Sequence, residues 1–526
     1  MSATLSFAGG RRSSPWFALD SVVDSSTWDR RAAWFLSILT IARLVIIAVT
    51  GLSDTEAYYV VWSRFPSLSY YDHPPLVAWI AAVTTFVSRT AFSARLGPVL
   101  CSALMGALVY RLAARLFSPR AGFLALAVAS TLPVLFFTSF LVNPEGPLAP
   151  LWLLSLLLLN DLRDHDEPWR PVVLGLAIGA SFLAKYTAVL LVPVALIFLL
   201  ASVRTRRWFR RPSFYASGLV ALAVASPVVI WNYRHHWPTL ALHLVERMSA
   251  PGEFGLGRHA LTIVVSQFVL YQPLVLPGLL AILWLVLARG RTDERYRLLA
   301  AASAPVLLFL FVVMVRVSDA EPHWTMVGFL PLAIGAGGWL DEHIDRATRG
   351  LIGYLQACVG VSVAFFVAYF VHTQSPVMLR LVPQTLYSAN VDPINETFGW
   401  DRIDTAIWDE AAKLGPSSVV ASSHNVLCGQ VAARLDDRPH VYCPSPRRTE
   451  FDFLGRRDPP PDVPVVYVDS ARYQESVTER LPGRSCVQTQ TVEVMRAGRP
   501  LNKYRIFACQ AVAAAVAAHE GSVSAN

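Results

Sequence analysis

Eleven apolar runs, each near the length a helix needs to cross a bilayer, fill most of the first 371 residues. They lie at 33–51, 96–114, 121–140, 147–160, 171–184, 187–203, 214–231, 260–288, 298–315, 324–340 and 350–371. About 20 apolar residues span the ~30 Å hydrocarbon core. Within it each segment must satisfy its own backbone, so such runs fold as helices. The reading is a polytopic α-helical membrane protein with about 11–13 transmembrane helices. Residues 75–93 are apolar enough to dip into the bilayer, and the 260–288 run, with Pro273, Pro277 and Gly278, is open to a break. Only 16% of the chain is charged, against about 25% in soluble domains. That excludes a cytosolic enzyme and a disordered chain. The net charge of +8 is scattered between apolar runs, so a nucleic-acid partner is excluded too.

Arginine sets the orientation. Nineteen arginines fall in the N-terminal segment and in alternate gaps, against eight basic residues in the remaining gaps. Positive-inside places residues 1–32, which carry no secretory leader pattern, in the cytoplasm. Residues 33–371 form the membrane domain with a first outer loop at 52–95, and 372–526 lie outside. This tail reads as a soluble α/β domain: helical periodicity at 401–414, short buried strands at 419–422 and 465–469, and a closing hairpin turned at Gly498. Cys428 with Cys443, and Cys486 with Cys509, are its cysteines. Outside the cytoplasm either pair is open to bridging; buried free thiols are the other reading.

The same topology gathers polar residues on the outer face: Asp54, Glu56, Asp72, His73, Asn143, Glu145, Lys185, Asn232, His235, His236, Asp319, Glu321 and His323. Charges at a membrane are costly unless they face a cavity or one another. Lys185 is the only lysine amid the apolar runs. The first loop is the richest, with Glu56-Ala57-Tyr58-Tyr59, then Trp62-Ser63-Arg64, then Tyr70-Tyr71-Asp72-His73-Pro74-Pro75. Residues 56–65 read as an amphipathic helix on the membrane, with Tyr58, Tyr59 and Trp62 at headgroup level.

These motifs resemble bacterial GT-C glycosyltransferases of families 39 and 83, which include protein O-mannosyltransferases and lipid A aminoarabinose transferases. The first loop resembles the family signature. Asn143-Pro144-Glu145-Gly146-Pro147-Leu148, Ala184-Lys185-Tyr186-Thr187, Trp231-Asn232 with His235, and Glu321-Pro322-His323-Trp324 resemble its later motifs in order. Two positions depart. The family's Asp before Glu-Ala-Tyr-Tyr falls on Thr55, with Asp54 one place earlier, and Glu145 stands where Asp is usual.

The resemblance implies a GT-C fold and transfer of a sugar from a polyprenyl-phosphate donor to a hydroxyl or phosphate of an extracytoplasmic acceptor. The acceptor classes are lipid A, another cell-surface glycan or lipid, or protein; the place is the bacterial inner membrane. The leaving phosphate needs cations, for which Lys185, Arg64 and His73 are candidates. The acceptor needs a general base: Asp54 first, Glu56 second. One base opposite the leaving group gives inversion. Tyr58, Tyr59, Asp72, Glu145 and Asn232 complete the substrate-binding set. A divalent metal is a possible cofactor, with Asp72, His235 and His323 as its ligands. The competing reading is a transporter or flippase of lipid-linked sugars.

Overall fold

The structure is a computed structural model that describes residues 15–247, 255–317, 319–389, 392–436 and 438–512. Every apolar run is helical. Five helices are long and apolar enough to cross a membrane, or up to seven if each of two bent pairs is one span. The others are shorter, such as Trp169–Ala184 and Pro119–Ser130. The 121–140 run is two helices, Pro119–Ser130 and Pro133–Thr138, because Pro133 cannot donate the hydrogen bond that continuity requires. The 260–288 run is also broken: Gly255–Leu270 and Val275–Arg289 meet at 101°, across Gln272 in a left-handed conformation and Pro273. Residues 75–93 do not cross. They form the nine-residue helix Leu76–Thr84 and a turn whose Phe86 and Val87 are exposed.

The alternation read from arginine appears as two differently built ends. At one end ion pairs tie the helix termini: Arg170 to Asp161 at 3.5 Å, Arg120 to Asp345 at 2.7 Å, Arg211 to Asp166 at 3.0 Å and Arg289 to Glu342 at 2.7 Å. At the other end lie Glu145, Lys185, Glu321 and the first loop, capped by the C-terminal domain. The bundle uses small residues for close approach. A Cβ on Gly179 of Trp169–Ala184 would lie 2.7 Å from the Ala221 carbonyl of Pro212–Arg234, the small-residue contact that packs membrane helices.

The C-terminal domain carries a five-stranded sheet of order β2-β1-β3-β5-β4. Its strands are β1 (Val419–Ala421), β2 (Val441–Tyr442), β3 (Val465–Ser470), β4 (Arg484–Arg496) and β5 (Arg499–Ala511). The first three are parallel and β5 runs antiparallel to β3 and β4. Ala497 and Gly498 both have positive φ, the two-residue turn that suits strand twist. Both cysteine pairs are bridged: Cys428–Cys443 ties helix Asn425–Arg434 to the end of β2, and Cys486–Cys509 joins β4 to β5.

The first-loop helix, Asp54–Trp62, differs from expectation. It is not on a lipid surface: Tyr58, Tyr59 and Trp62 are all buried. The helix is sandwiched between the bundle and helix Asn425–Arg434 of the C-terminal domain. The contact depends on Gly429, where a Cβ would lie 2.7 Å from the Tyr58 Cα. An amphipathic pattern cannot distinguish lipid from a second domain as its apolar partner.

Candidate active site

Glu56 anchors the floor of the site. Ser53 caps the helix and donates its backbone N–H and its hydroxyl to Oε2, each at 3.0 Å. Arg95 donates Nε to Oε1 at 2.7 Å and a second N–H to Oε2, and the Val142 N–H reaches Oε1 at 2.9 Å. Arg95 and Glu56 are each 2% exposed. A carboxylate with this many donors has little free lone-pair capacity. Glu56 therefore positions the loop, and its candidacy as base falls. Sequence reasoning missed Arg95, whose only signal was a charge at the mouth of an apolar run.

Above this floor runs a charged chain. Lys185 Nζ donates to Glu145, and the same Glu145 oxygen lies 2.8 Å from His323 Nε2. His323 Nδ1 lies 3.2 Å from Glu321. An imidazole with a carboxylate on each nitrogen is held in the doubly protonated form. Glu145 opens helix Glu145–Asp164 and Lys185 ends helix Trp169–Ala184, so each charge sits at the helix end whose dipole favours it. Trp324 lies 5.7 Å from the ammonium. The three motifs read at Glu145, Lys185 and Glu321–His323 thus meet at one place.

Asp54 faces the other way. Gln430 donates to it at 3.2 Å, Tyr473 reaches it at 3.5 Å and Arg472 stands 4.0 Å off. Its backbone N–H donates to Glu396 at 3.1 Å, and Glu396 pairs with Arg472 at 2.8 Å. Burial, then the charge of Glu396, raises the Asp54 carboxyl to about 7. Gln430, Glu396, Arg472 and Tyr473 lie hundreds of residues away in the C-terminal domain, and nothing in the sequence pointed to them.

A third group lies beside Lys185. Asp72 accepts from the Tyr58 hydroxyl at 2.9 Å, and burial raises it to about 6. The Tyr58 hydroxyl also accepts the Glu450 N–H at 2.8 Å, so Tyr58 joins the loop to the C-terminal domain. Tyr59 is buried with its ring 5.9 Å from that of His73. Burial holds the His73 imidazole well below its usual range, and His243, missed in the sequence, bonds the Asp72 carbonyl at 3.0 Å. Asn232 donates to the Val228 carbonyl. The side chains of Ser69, Thr239 and Asn232 are buried around the Tyr186 hydroxyl.

Two expectations need correcting. Arg64 does not face the site. Its guanidinium donates to the carbonyls of Ala432 and Ala433, both at 2.7 Å, where the end of a helix leaves acceptors unsatisfied. Asp72, His235 and His323 do not form a ligand set either. Asp72 is held by Tyr58, His323 by two carboxylates, and His235 by the Trp231 carbonyl at 2.8 Å. Among the described residues no group of three His, Cys, Asp or Glu side chains is placed to hold a metal.

A cavity of about 360 Å³ lies at the centre. Thr55, Glu56, Asn143, Glu321, His323 and Glu396 give it a polar wall, and Phe137, Leu141, Leu270 and Tyr369 an apolar one. Thr55, at the position where the resembled family has Asp, lines this cavity, and Asp54 does not. Such a chamber suits an amphiphile with its polar end upward.

Comparison with solved structures decides the architecture. ArnT from Cupriavidus metallidurans in its apo state superposes with a TM-score of 0.60 at 15% identity, over 92% of this chain and 98% of that one. The chain has the GT-C fold. The same ArnT bound to undecaprenyl phosphate gives a TM-score of 0.59 at 17% identity, over 91% and 98%. Residues 72–231 of this GT-C chain match the family described as dolichyl-phosphate-mannose-protein mannosyltransferase. The lipid A galacturonosyltransferase RgtD of Rhizobium johnstonii is 28% identical over 55% of the chain and 61% of its own length. The undecaprenyl phosphate-alpha-4-amino-4-deoxy-L-arabinose arabinosyl transferase of Edwardsiella ictaluri is 28% identical over 64% and 65%. The match thus spans less than two thirds of either relative.

Proposed function

We propose that this GT-C protein transfers a sugar from a polyprenyl-phosphate donor to a hydroxyl or phosphate of a glycolipid acceptor outside the cytoplasm. The observation that carries the reading is the chamber itself. It has an apolar wall toward the bundle and a polar wall formed with the C-terminal domain, with His323 of the Lys185–Glu145–His323–Glu321 chain on its edge. The relatives' names agree: one modifies lipid A, and the other takes its sugar from undecaprenyl phosphate. A flippase would hold its polar groups near the midplane; here they gather at one end.

In the proposed reaction the bond from the anomeric carbon to the donor phosphate breaks and that phosphate keeps the electron pair. The acceptor oxygen bonds to the anomeric carbon and its proton passes to a carboxylate, giving inversion. Lys185 and doubly protonated His323 stabilise the charge gathering on the phosphate. Two carboxyls are candidates for the base: Glu321, which lines the chamber with 62% of its side chain exposed, and Asp54, raised to about 7 but set behind the chamber wall, so that it serves only if the wall at Glu396 moves aside. The arginine-paired end faces the cytoplasm, and the bridged C-terminal domain faces the oxidising side.

Proteoliposomes given a panel of polyprenyl-phosphate sugars and a cell-envelope lipid extract test this. Lys185→Met is expected to lower transfer at least about a hundredfold. Asp54→Asn and Glu321→Gln are run beside it, and the one that abolishes transfer while leaving donor binding intact is the base. No transfer by wild type from any donor, with all proteins folded, defeats the proposal.

A further inference from the structure

A second cavity, of about 400 Å³, lies within the bundle below the chamber, between helix Pro15–Val49 and helices Ala91–Leu116, Pro133–Thr138 and Arg349–Gln374. Its walls are almost wholly apolar, with Ile46, Leu135, Phe136, Phe366 and Phe370 among them. Two groups do not belong in such a lining. One is Arg43, six residues before the helix end at Val49 and so about 9 Å beneath it. Its Nη1 is buried, and among the described residues its guanidinium has no hydrogen bond or ion pair. The other is Ser102, 4% exposed, whose Oγ is buried and also without a partner. Ser130 on the same wall already gives its hydroxyl to the Leu126 carbonyl at 2.7 Å.

An unpaired cation at this depth is costly and marks a functional place. Three cations of the outer half that are largely withdrawn from solvent are compensated: Arg95 by Glu56, Lys185 by Glu145, Arg247 by Asp319. Arg43 differs from all three. The cavity also adjoins the chamber. Leu135 and Phe136 line the one, while Val134, Phe137 and Thr138 of the same short helix line the other. Phe366 and Phe370 alternate in the same way with Tyr369 and Thr373.

We propose that Arg43 and Ser102 hold the phosphate of the spent polyprenyl carrier, whose chain lies in the apolar groove. The choice of lipid rests on the transfer reading. Before transfer the carrier phosphate is a diester with one negative charge; afterwards it is a monoester approaching two. Lys185 and His323 meet part of that charge but already share Glu145 and Glu321, whereas Arg43, one short helix away, has no carboxylate partner among the described residues to share it with. A guanidinium can fork onto two phosphate oxygens while the serine hydroxyl donates to a third.

The test is equilibrium binding of a long-chain polyprenyl phosphate to the full chain in neutral-lipid nanodiscs. Arg43→Met is expected to weaken binding about tenfold or more, Arg43→Lys less, and Ser102→Val to weaken it modestly. Polyprenol without phosphate is expected to bind wild type and Arg43→Met alike. Removing an unpaired buried charge also leaves the thermal midpoint of Arg43→Met at or above that of wild type, so lost binding is not lost folding. Unchanged binding of polyprenyl phosphate by Arg43→Met overturns the proposal. So does displacement of the polyprenyl phosphate by phosphatidylglycerol at equal concentration, which makes this a general anionic-lipid site. Absent transfer with Arg43-dependent binding intact strikes the transfer reading alone.

Discussion

At the residue scale the decisive fact is how fully the carboxylates differ in their company. Glu56 is saturated by Arg95, Ser53 and the Val142 N–H. Removing one partner of so buried a pair leaves an uncompensated charge, at a cost of about 3–5 kcal/mol. Arg95→Met is therefore expected to lower the unfolding midpoint in detergent markedly; an unchanged midpoint would mean the pair does not hold the loop. Asp54 is the opposite case, a carboxyl raised to about 7 by burial and Glu396. A raised folded-state value means that folding favours the protonated form. The stability it contributes is complete below about 4 and is lost as pH rises through about 7. If Asp54 is the base, transfer rises across the same window in which the junction weakens. Asp54→Asn is expected to flatten the pH dependence of stability between 4 and 7, read by thermal melts across that range. The sequence could show which polar residues share a face, because helix parity alone sets that. It could not show that Arg64 ends on the Ala432 and Ala433 carbonyls, since those acceptors exist only once a distant helix has docked.

At the element scale, the helix breaks were written in proline, and the 260–288 run and the Pro133 junction follow from it directly. The burial of helix Asp54–Trp62 was not written locally. Its aromatic face would serve a lipid surface or a protein one equally well, and the choice was made by Gly429. A side chain there must push against the Tyr58 backbone, 2.7 Å from where its Cβ would sit. Gly429→Leu is expected to cost about 1–3 kcal/mol and to separate the C-terminal domain from the loop. Limited proteolysis at residues 375–390 reads this, and an unaltered cleavage rate would show that the helices tolerate more space.

At the scale of the whole molecule, two asymmetries agree. Arginine is concentrated at one end of the bundle, and both disulfides lie at the other, in a domain that closes the chamber. The first was legible in the sequence because insertion reads charge along the chain. The second needed the fold, since cysteine spacing alone does not choose between bridges and buried thiols. Together they support the proposed orientation, which labelling tests. With Cys101 and Cys358, the free cysteines among the described residues, changed to Ala, a lone cysteine is introduced at exposed Lys503 or exposed Glu167. A membrane-impermeant maleimide added to intact spheroplasts is expected to label Lys503→Cys at once and Glu167→Cys only after permeabilisation. The opposite pattern would place the chamber in the cytoplasm, where nucleotide sugars are at hand and a lipid-linked donor loses its physical rationale. The orientation and the donor class therefore stand or fall on the same gel.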